Sequence, residues 1–253
     1  MHVSKKKLTD TESYTWEYLN KNFKDIRQLS ISELSELINV SNSTITRTLQ
    51  KKGYSGFIDF KHIMNNKISD ELSVLTNEAL TDDTRVSVLK SYQEVTRTLN
   101  MLDLESLNKA INEMASSKKI TIFARGFSEF IATEMQTKIL LLGKYCDLYT
   151  DPNIIRPISK KLDFDTFVIF ISLNGETKAL VDAAINCDQK QIPNLLISAN
   201  RSGSLTNYTS NQLFVFKTEL TYFPDFEVHS RLPIYIVARI LLDNLATYLA
   251  KNN

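Results

Sequence analysis

Glycine is scarce in this 253-residue chain: Gly53, Gly56, Gly126, Gly143, Gly175 and Gly203 are all there are. A chain so poor in glycine uses each one where the backbone demands it. Only two cysteines occur, Cys146 and Cys187, far apart and in apolar surroundings. They form neither a disulfide framework nor a metal spacing, so no metal is expected and a reducing cytoplasm is. Apolar runs long enough to span a bilayer are missing, so no membrane partner is expected. The basic start, Lys5-Lys6-Lys7, leads into Leu8-Thr9-Asp10 rather than an apolar stretch, which excludes a signal peptide. An excess of either charge is missing too. The formal net charge is +1, so any surface for nucleic acid must be local.

What is present is ordinary for a soluble globular protein, with 43% hydrophobic and 23% charged residues. The length leaves room for one large domain or two smaller ones. The amino-terminal third reads as helical. Thr9-Asp10-Thr11-Glu12 and Ser30-Ile31-Ser32-Glu33 both have the capping-box form, a hydroxyl three residues before a glutamate. Trp16, Leu19, Phe23 and Ile26 form one apolar stripe, and Ile31, Leu34, Leu37 and Ile38 the next. Asn39-Val40-Ser41 then offers a residue tolerant of left-handed backbone, an apolar plug and a new helix cap. A helix from about Asn42 to Lys52 follows, with Ile45 and Leu49 inside and Gly53 as its stop.

Two short helices joined by a three-residue turn describe a helix-turn-helix unit. The outer face of the second carries Ser43, Thr46, Arg47 and Gln50, with Thr44 and Lys51 at its margins and no acid among them. Short hydroxyls near a helix start reach phosphates or base edges, and Arg and Gln are long enough to read guanine or adenine in the major groove. Up to residue 69 there are eleven Lys and Arg against seven Asp and Glu, so this third is mildly basic. A solvated polar face in a small bundle is the alternative; turn length, capping and the missing acids favour double-stranded DNA. Tyr54, Phe57 and Phe60 are expected to close the small core, and Lys61 either touches a phosphate or is solvated. Beyond a polar stretch, Val88, Tyr92, Val95, Leu99 and Leu102 fall at 4-3-4-3 spacing. That seam packs on another helix, in a second subunit or in the next domain.

The carboxyl-terminal part alternates strand and helix patterns. Strands are expected at 119–124, 146–149, 166–171, 193–198 and 212–216. Helices are expected around Leu107, Met135, the 152–161 stretch (interrupted at Pro157), 176–187, 202–208 and 231–250. This alternation implies a mostly parallel sheet covered on both sides. The buried run Phe167-Val168-Ile169-Phe170-Ile171 ends abruptly in Ser172-Leu173-Asn174-Gly175-Glu176-Thr177. A loop delivered to the carboxyl edge of a sheet, and opening a helix, suits an anion such as phosphate. An ordinary turn with Ser and Thr as caps is the other reading. A comparable loop, Gly126-Phe127-Ser128, follows the first strand. Neither has the pattern of a nucleotide P-loop, and no dinucleotide fingerprint is present, so no cofactor is expected.

Ser172 to Thr177 resembles the Ser-x-Ser-Gly-x-Thr loop of sugar isomerase (SIS) domains, and Arg125-Gly126-Phe127-Ser128 the end of that family's first-strand loop. Val40-Ser41-Asn42-Ser43-Thr44-Ile45-Thr46-Arg47, Gly53-Tyr54-Ser55-Gly56-Phe57 and Phe60-Lys61 resemble RpiR-type transcriptional regulators, which join a helix-turn-helix domain to a SIS domain. The resemblance implies an all-α helix-turn-helix domain at 1–75, a helical linker at 76–104 and an α/β SIS domain at 105–253. It implies a sugar phosphate effector contacted by Ser172, Asn174, Gly175 and Thr177, with Gly126 and Ser128 opposite, and a homodimer or homotetramer. The chain departs from the pattern at Ala124, Phe127 and Asn174. DNA contacts are expected from Ser43, Thr44, Thr46, Arg47, Gln50, Lys51 and Lys61. Arg125 either supplies charge to the ligand or forms a surface salt bridge.

Three functions remain distinct at this point. A phosphosugar-responsive regulator of carbohydrate genes uses both halves of the chain and is not an enzyme. An aldose–ketose isomerase needs a base, for which Glu227 and His229 are the candidates, but has no use for the amino-terminal third. A SIS-type sensor acting through a protein partner uses the first domain differently.

Overall fold

The computed structural model describes residues 8–26, 28–52, 54–61, 81–218 and 228–252. The chain divides into two compact units, Met1–Asp82 and Asp83–Asn253.

The first unit is built by its caps. Thr9 accepts the Glu12 N–H and Glu12 reaches back to the Thr9 N–H, starting α1 (Asp10–Lys21). Ser30 and Glu33 repeat the arrangement at the start of α3 (Ile31–Ile38). The single stripe expected from Trp16 to Ile26 is carried by two helices. Asn22 ends α1, and Phe23–Ile26 forms a separate turn, α2. Leu19, Phe23 and Ile26 still face one core with Leu34, Ile38, Val40, Ile45, Leu49, Phe57 and Phe60. Phe60 sits edge-on to Phe23 and Tyr54, at ring separations of 5.5 and 5.1 Å, which is how aromatic quadrupoles pack favourably. Asn39 takes the left-handed conformation, φ 54° and ψ 43°, and ends α3. Ser41 then caps α4 (Asn42–Lys51). The proposed stop at Gly53 lies outside the described residues.

In the second unit five parallel strands run in the order β2-β1-β3-β4-β5. They are β1 (Lys119–Ala124), β2 (Tyr145–Tyr149), β3 (Thr166–Ile171), β4 (Asn194–Ser198) and β5 (Gln212–Phe214). Alternate residues of β1 and β3 face opposite layers. Ile120, Ile122, Phe167 and Ile169 pack with α6 (Leu104–Ser116), α7 (Ser128–Leu141) and α10 (Leu232–Asn252). Phe123, Val168 and Phe170 pack with α8 (Pro152–Ser159) and α9 (Lys178–Gln189). Helices on both faces explain why these strands read as unbroken apolar runs. The helix α8 continues through Pro157 rather than being interrupted there. By length and composition α10 could cross a membrane, contrary to the expectation from the sequence. Its Ile234, Val237, Leu241, Leu242 and Leu245 instead complete the core of one sheet face.

The helix α5 (Asp82–Asn100) precedes the sheet and belongs almost wholly to the second unit. Its apolar seam is only partly covered, with Val88 and Val95 half-buried. Tyr92 and Leu99 are 42% and 46% exposed, while Glu94 and Thr98 are the buried residues. Thr98 Oγ1 accepts the Phe216 N–H at 3.2 Å, and the Arg97 guanidinium lies 4.7 Å from the Phe216 ring centroid. The polar side of α5 is thus the one fastened to the sheet unit, and only Leu102, just beyond the helix, packs against its core.

Candidate functional site

In the first unit the candidate surface is the outer side of α4. Ser41 Oγ accepts the Thr44 N–H at 3.3 Å and lies 2.9 Å from both Ser43 Oγ and Thr44 Oγ1. Ile45, Thr48 and Leu49 turn inward, with Thr48 Oγ1 donating to Thr44 O. Ser43, Arg47 and Gln50 are therefore left exposed on one side at helical spacing. Thr46, half-buried, donates its hydroxyl to Asn42 O at 2.9 Å. Arg47 Nε donates to Ser43 O at 3.3 Å, which steadies the side chain and leaves its terminal fork directed away from that bond. Asn42, exposed and missed in the sequence reading, ties the start of α4 to α3 through Ser32 Oγ at 3.4 Å.

The two lysines expected on this surface are engaged elsewhere. Lys51 Nζ lies 2.7 Å from Oε2 of buried Glu12, a partner 39 positions away. That ammonium, with the Thr9 N–H, holds the Glu12 carboxyl below its ordinary range. Lys61 Nζ donates to Leu29 O at 2.9 Å and sits 5.3 Å over the Phe57 ring. Both clamp the unit's own helices together.

In the second unit the candidate surface is the carboxyl edge of the sheet. Ala124 pairs with Ile171, so the loops leaving β1 and β3 are neighbours. The chain leaves β1 into α7 on one face and β3 into α9 on the other. In doubly wound sheets of this strand order, that divergence opens a crevice where ligands bind. Gly126, at φ 59°, turns the first loop, and its N–H donates to Glu129 Oε1 at 2.8 Å. Arg125 donates to Thr150 O and lies 3.7 Å from Glu129 Oε1, the salt-bridge alternative. Ser128 opens α7 and is only 2% exposed.

The second loop is held by its own atoms and by the loop after β4. Gly175, at φ 70°, donates its N–H to Ser172 Oγ at 3.1 Å, and Ser172 is 6% exposed. The Leu173 carbonyl accepts from Ala199 N and Ser198 Oγ, and the Asn174 carbonyl from Asn200 Nδ2 at 3.0 Å. Gly175 O accepts from Leu205 N, and Glu176 holds both Ser204 N and Ser204 Oγ. That network lowers the Glu176 pKa, chiefly through the Ser204 hydroxyl. Gly203 is needed for closeness. A Cβ there would lie 2.8 Å from Asn174 O. Thr177 caps α9 without a side-chain hydrogen bond, so its half-buried hydroxyl is not consumed by the helix end.

A cleft of about 560 Å³ opens beside this loop, on the side of β4 and β5. Asn174, Asn200, Arg201, Ser202, Phe216 and Lys217 contribute to its wall. Of the six ligand residues expected from the sequence, only Asn174 lines it. Arg201 and Lys217 were missed. The signal was available: both follow directly on carboxyl ends of strands, the position that singled out the loops after β1 and β3.

Burial pushes both cysteine thiols up to about 12, so neither is a thiolate nucleophile at neutral pH. No cluster of three metal-ligating side chains occurs among the described residues. Glu227 lies outside the described residues. His229 is half-buried, and its carbonyl accepts from Arg231 Nη1 at 2.7 Å.

Comparison with known proteins agrees with this division. Residues 1–71 match the model of the helix-turn-helix domain of the rpiR family, and residues 113–222 match the SIS domain. An uncharacterized HTH-type transcriptional regulator of Thermotoga maritima is 28% identical over 234 residues, covering 90% of this chain and 82% of its own. The HTH-type transcriptional regulator GlvR of Bacillus subtilis is 25% identical, covering 96% and 92%. Among solved structures, Vibrio vulnificus NanR complexed with ManNAc-6P is similar with a TM-score of 0.58 and 18% identity, over 97% of this chain and 88% of that one.

Proposed function

The chain belongs to the RpiR family of HTH-type transcriptional regulators, with a SIS domain as its second part, and from that premise we propose that it binds operator DNA through α4 under the control of a sugar phosphate. The observation that carries the reading is the face of α4. Ser43, Thr46, Arg47 and Gln50 point away from the core of a rigidly capped helix with no acid among them. Such a face enters the major groove with its amino-terminal hydroxyls on phosphates and its longer side chains on bases.

The effector belongs at the carboxyl edge between β1 and β3. The loop carrying Gly126 and Ser128 and the loop carrying Ser172, Asn174, Gly175 and Thr177 leave neighbouring strands there. NanR, of similar fold, was solved with a phosphorylated amino sugar, and that chemistry fits a loop rich in N–H and hydroxyl donors. The proposal does not include catalysis, because it proceeds from relatives that are HTH-type transcriptional regulators. A regulator of carbohydrate genes of this kind works in the bacterial cytoplasm, where its operator is.

The active species is a homodimer. Tyr92 and Leu99 of the 4-3 seam on α5 are exposed, with Val86 and Leu89 exposed beside it, and a second copy of α5 packed on that seam covers them. Two copies also present two α4 helices to two half-sites.

Electrophoretic shifts on the DNA upstream of the protein's own gene, over a salt series, test both parts. The expected result is two chains per duplex and an affinity that falls steeply with salt, as phosphate neutralisation requires. An affinity indifferent to salt, or a shifted complex holding one chain, is incompatible with the proposal.

A further inference from the structure

The loop Ser172–Thr177 meets a phosphate with neutral donors alone. Ser172 Oγ accepts the Gly175 N–H at 3.1 Å and keeps its own proton to donate. Thr177 caps α9, and the free N–H groups of a helix start hold phosphate without help from a cation. Two cations nevertheless stand at the same edge of the sheet. Lys217 and Arg201 both line the cleft of about 560 Å³ beside the loop, and among the described residues no carboxylate lines it with them. Lys217 Nζ donates to Asn174 Oδ1 at 3.3 Å, a neutral partner. The Arg201 guanidinium lies 4.4 Å from the Phe214 ring centroid. Among the described residues neither makes an ion pair. Asp103, which shares a smaller neighbouring cleft with Arg201, attracts it without pairing.

The neutral groups of the wall are turned to one another. Asn200 Nδ2 donates to Asn174 O at 3.0 Å, and Asn200 Oδ1 accepts both the N–H and the hydroxyl of Ser202. What the cleft offers a ligand is chiefly positive charge, and a cleft lined by one sign of charge concentrates the opposite ion.

Resting on the reading of the second unit as a sugar phosphate sensor, we infer that the effector carries a second acidic group, a carboxylate or a second phosphate, which Lys217 and Arg201 bind in this cleft. The first phosphate stays on the loop after β3. Asn174 belongs both to that loop and to the wall of the cleft, so one carbon chain serves the two sites. The guanidinium fork matches the paired oxygens of a carboxylate or phosphate, and the lysine adds a point charge. In the free protein the Asn174 amide oxygen holds Lys217 at the loop, and the second acid takes over that ammonium. The effector class is thus a sugar acid phosphate or a sugar bisphosphate, not a sugar with one phosphate and no other charge. Phe216, next to Lys217, lines the cleft too. Its N–H donates to Thr98 and its ring lies under Arg97, both on α5. The second acid therefore binds next to the contacts that fasten α5 to the sheet.

Isothermal titration calorimetry on the full-length protein tests this with matched pairs of probes. Glucose phosphate and gluconate phosphate, both phosphorylated at the terminal carbon, differ by a carboxylate. Fructose monophosphate and fructose bisphosphate differ by a second phosphate. The wild type is expected to bind the doubly acidic member of one pair about ten- to a hundredfold more tightly than its partner, the range of a charged hydrogen bond. Lys217→Gln and Arg201→Gln are each expected to lose most of that preference, and Lys217→Arg to keep most of it. Unfolding midpoints equal to the wild type confirm that the loss is not misfolding. A wild type that binds sugar phosphates, but neither doubly acidic probe more tightly than its partner, overturns the inference and leaves the sensor reading standing. So does a double Lys217→Gln, Arg201→Gln variant that keeps the full preference. A wild type that binds no phosphorylated probe overturns both.

Discussion

Arg47→Ala is expected to weaken operator binding by about one to two orders of magnitude while leaving effector binding and thermal stability unchanged. Arg47 is exposed on α4 and, among the described residues, its side chain bonds only Ser43 O, through Nε. A guanidinium fork on a guanine edge contributes about 1–3 kcal/mol of discrimination, and removing it relaxes specificity at one base pair. Lys51→Ala should behave differently although it stands four residues on. It strips the partner from a buried Glu12 carboxylate and so acts on the stability of the first unit. Fluorescence anisotropy on operator variants, paired with denaturation curves, separates the two effects. An Arg47→Ala protein with unaltered operator affinity and specificity would remove α4 from the DNA.

Gly203→Ala is expected to abolish the effector response and to cost about 1–3 kcal/mol of stability in the second unit, the usual range for overpacking. Gly203 has φ −66°, which any residue adopts, so the backbone conformation is not the obstacle. Space is. The new Cβ would stand 2.8 Å from the Asn174 carbonyl oxygen and 3.1 Å from the Gly175 Cα. Both are backbone atoms, and neither can swing aside as a side chain would. Relief must come from moving the Ser172–Thr177 loop, with Asn174 carried away from Lys217. The first unit is a separate compact body, so basal DNA binding should persist. Gly56→Ala is a suitable control, since a Cβ there meets nothing within 4 Å. A Gly203→Ala protein with normal effector affinity would show that this loop does not form the ligand site.

Local contacts explain what was readable in the sequence. The caps at Thr9, Ser30 and Ser41 and the left-handed Asn39 are decided within four residues, so sequence spacing alone identifies them. The strands were legible because a sheet covered on both faces leaves runs such as Phe167 to Ile171 with no polar interruption. Long-range geometry explains what was not. The pairing of Lys51 with Glu12 joins residues 39 apart, and so withdraws a lysine from the face that helical spacing gave it. Ser172 and Ser128 match a ligand loop by type, while their burial and the Gly175 N–H accepted by Ser172 Oγ come only from the fold. Arg201 and Lys217 line one cleft because β4 and β5 are neighbours; their places just past strand ends were legible, the strand order was not. On α5, Thr98 is buried while Tyr92 and Leu99 of the apolar seam are exposed, so of the two partners expected for that seam the next domain does not cover it fully. The proposed dimer rests on those exposed apolar residues.

Sugar phosphate and DNA act on one molecule in this account, and linkage requires that each change the affinity for the other. Titration of labelled operator with the full-length protein, in the absence and presence of a saturating sugar phosphate found by calorimetry, measures that coupling directly. The expected result is a shift in operator affinity of about five- to a hundredfold, absent with the unphosphorylated sugar and lost in the Gly203→Ala protein. Superimposable operator titrations with and without a sugar phosphate shown to be bound would contradict it.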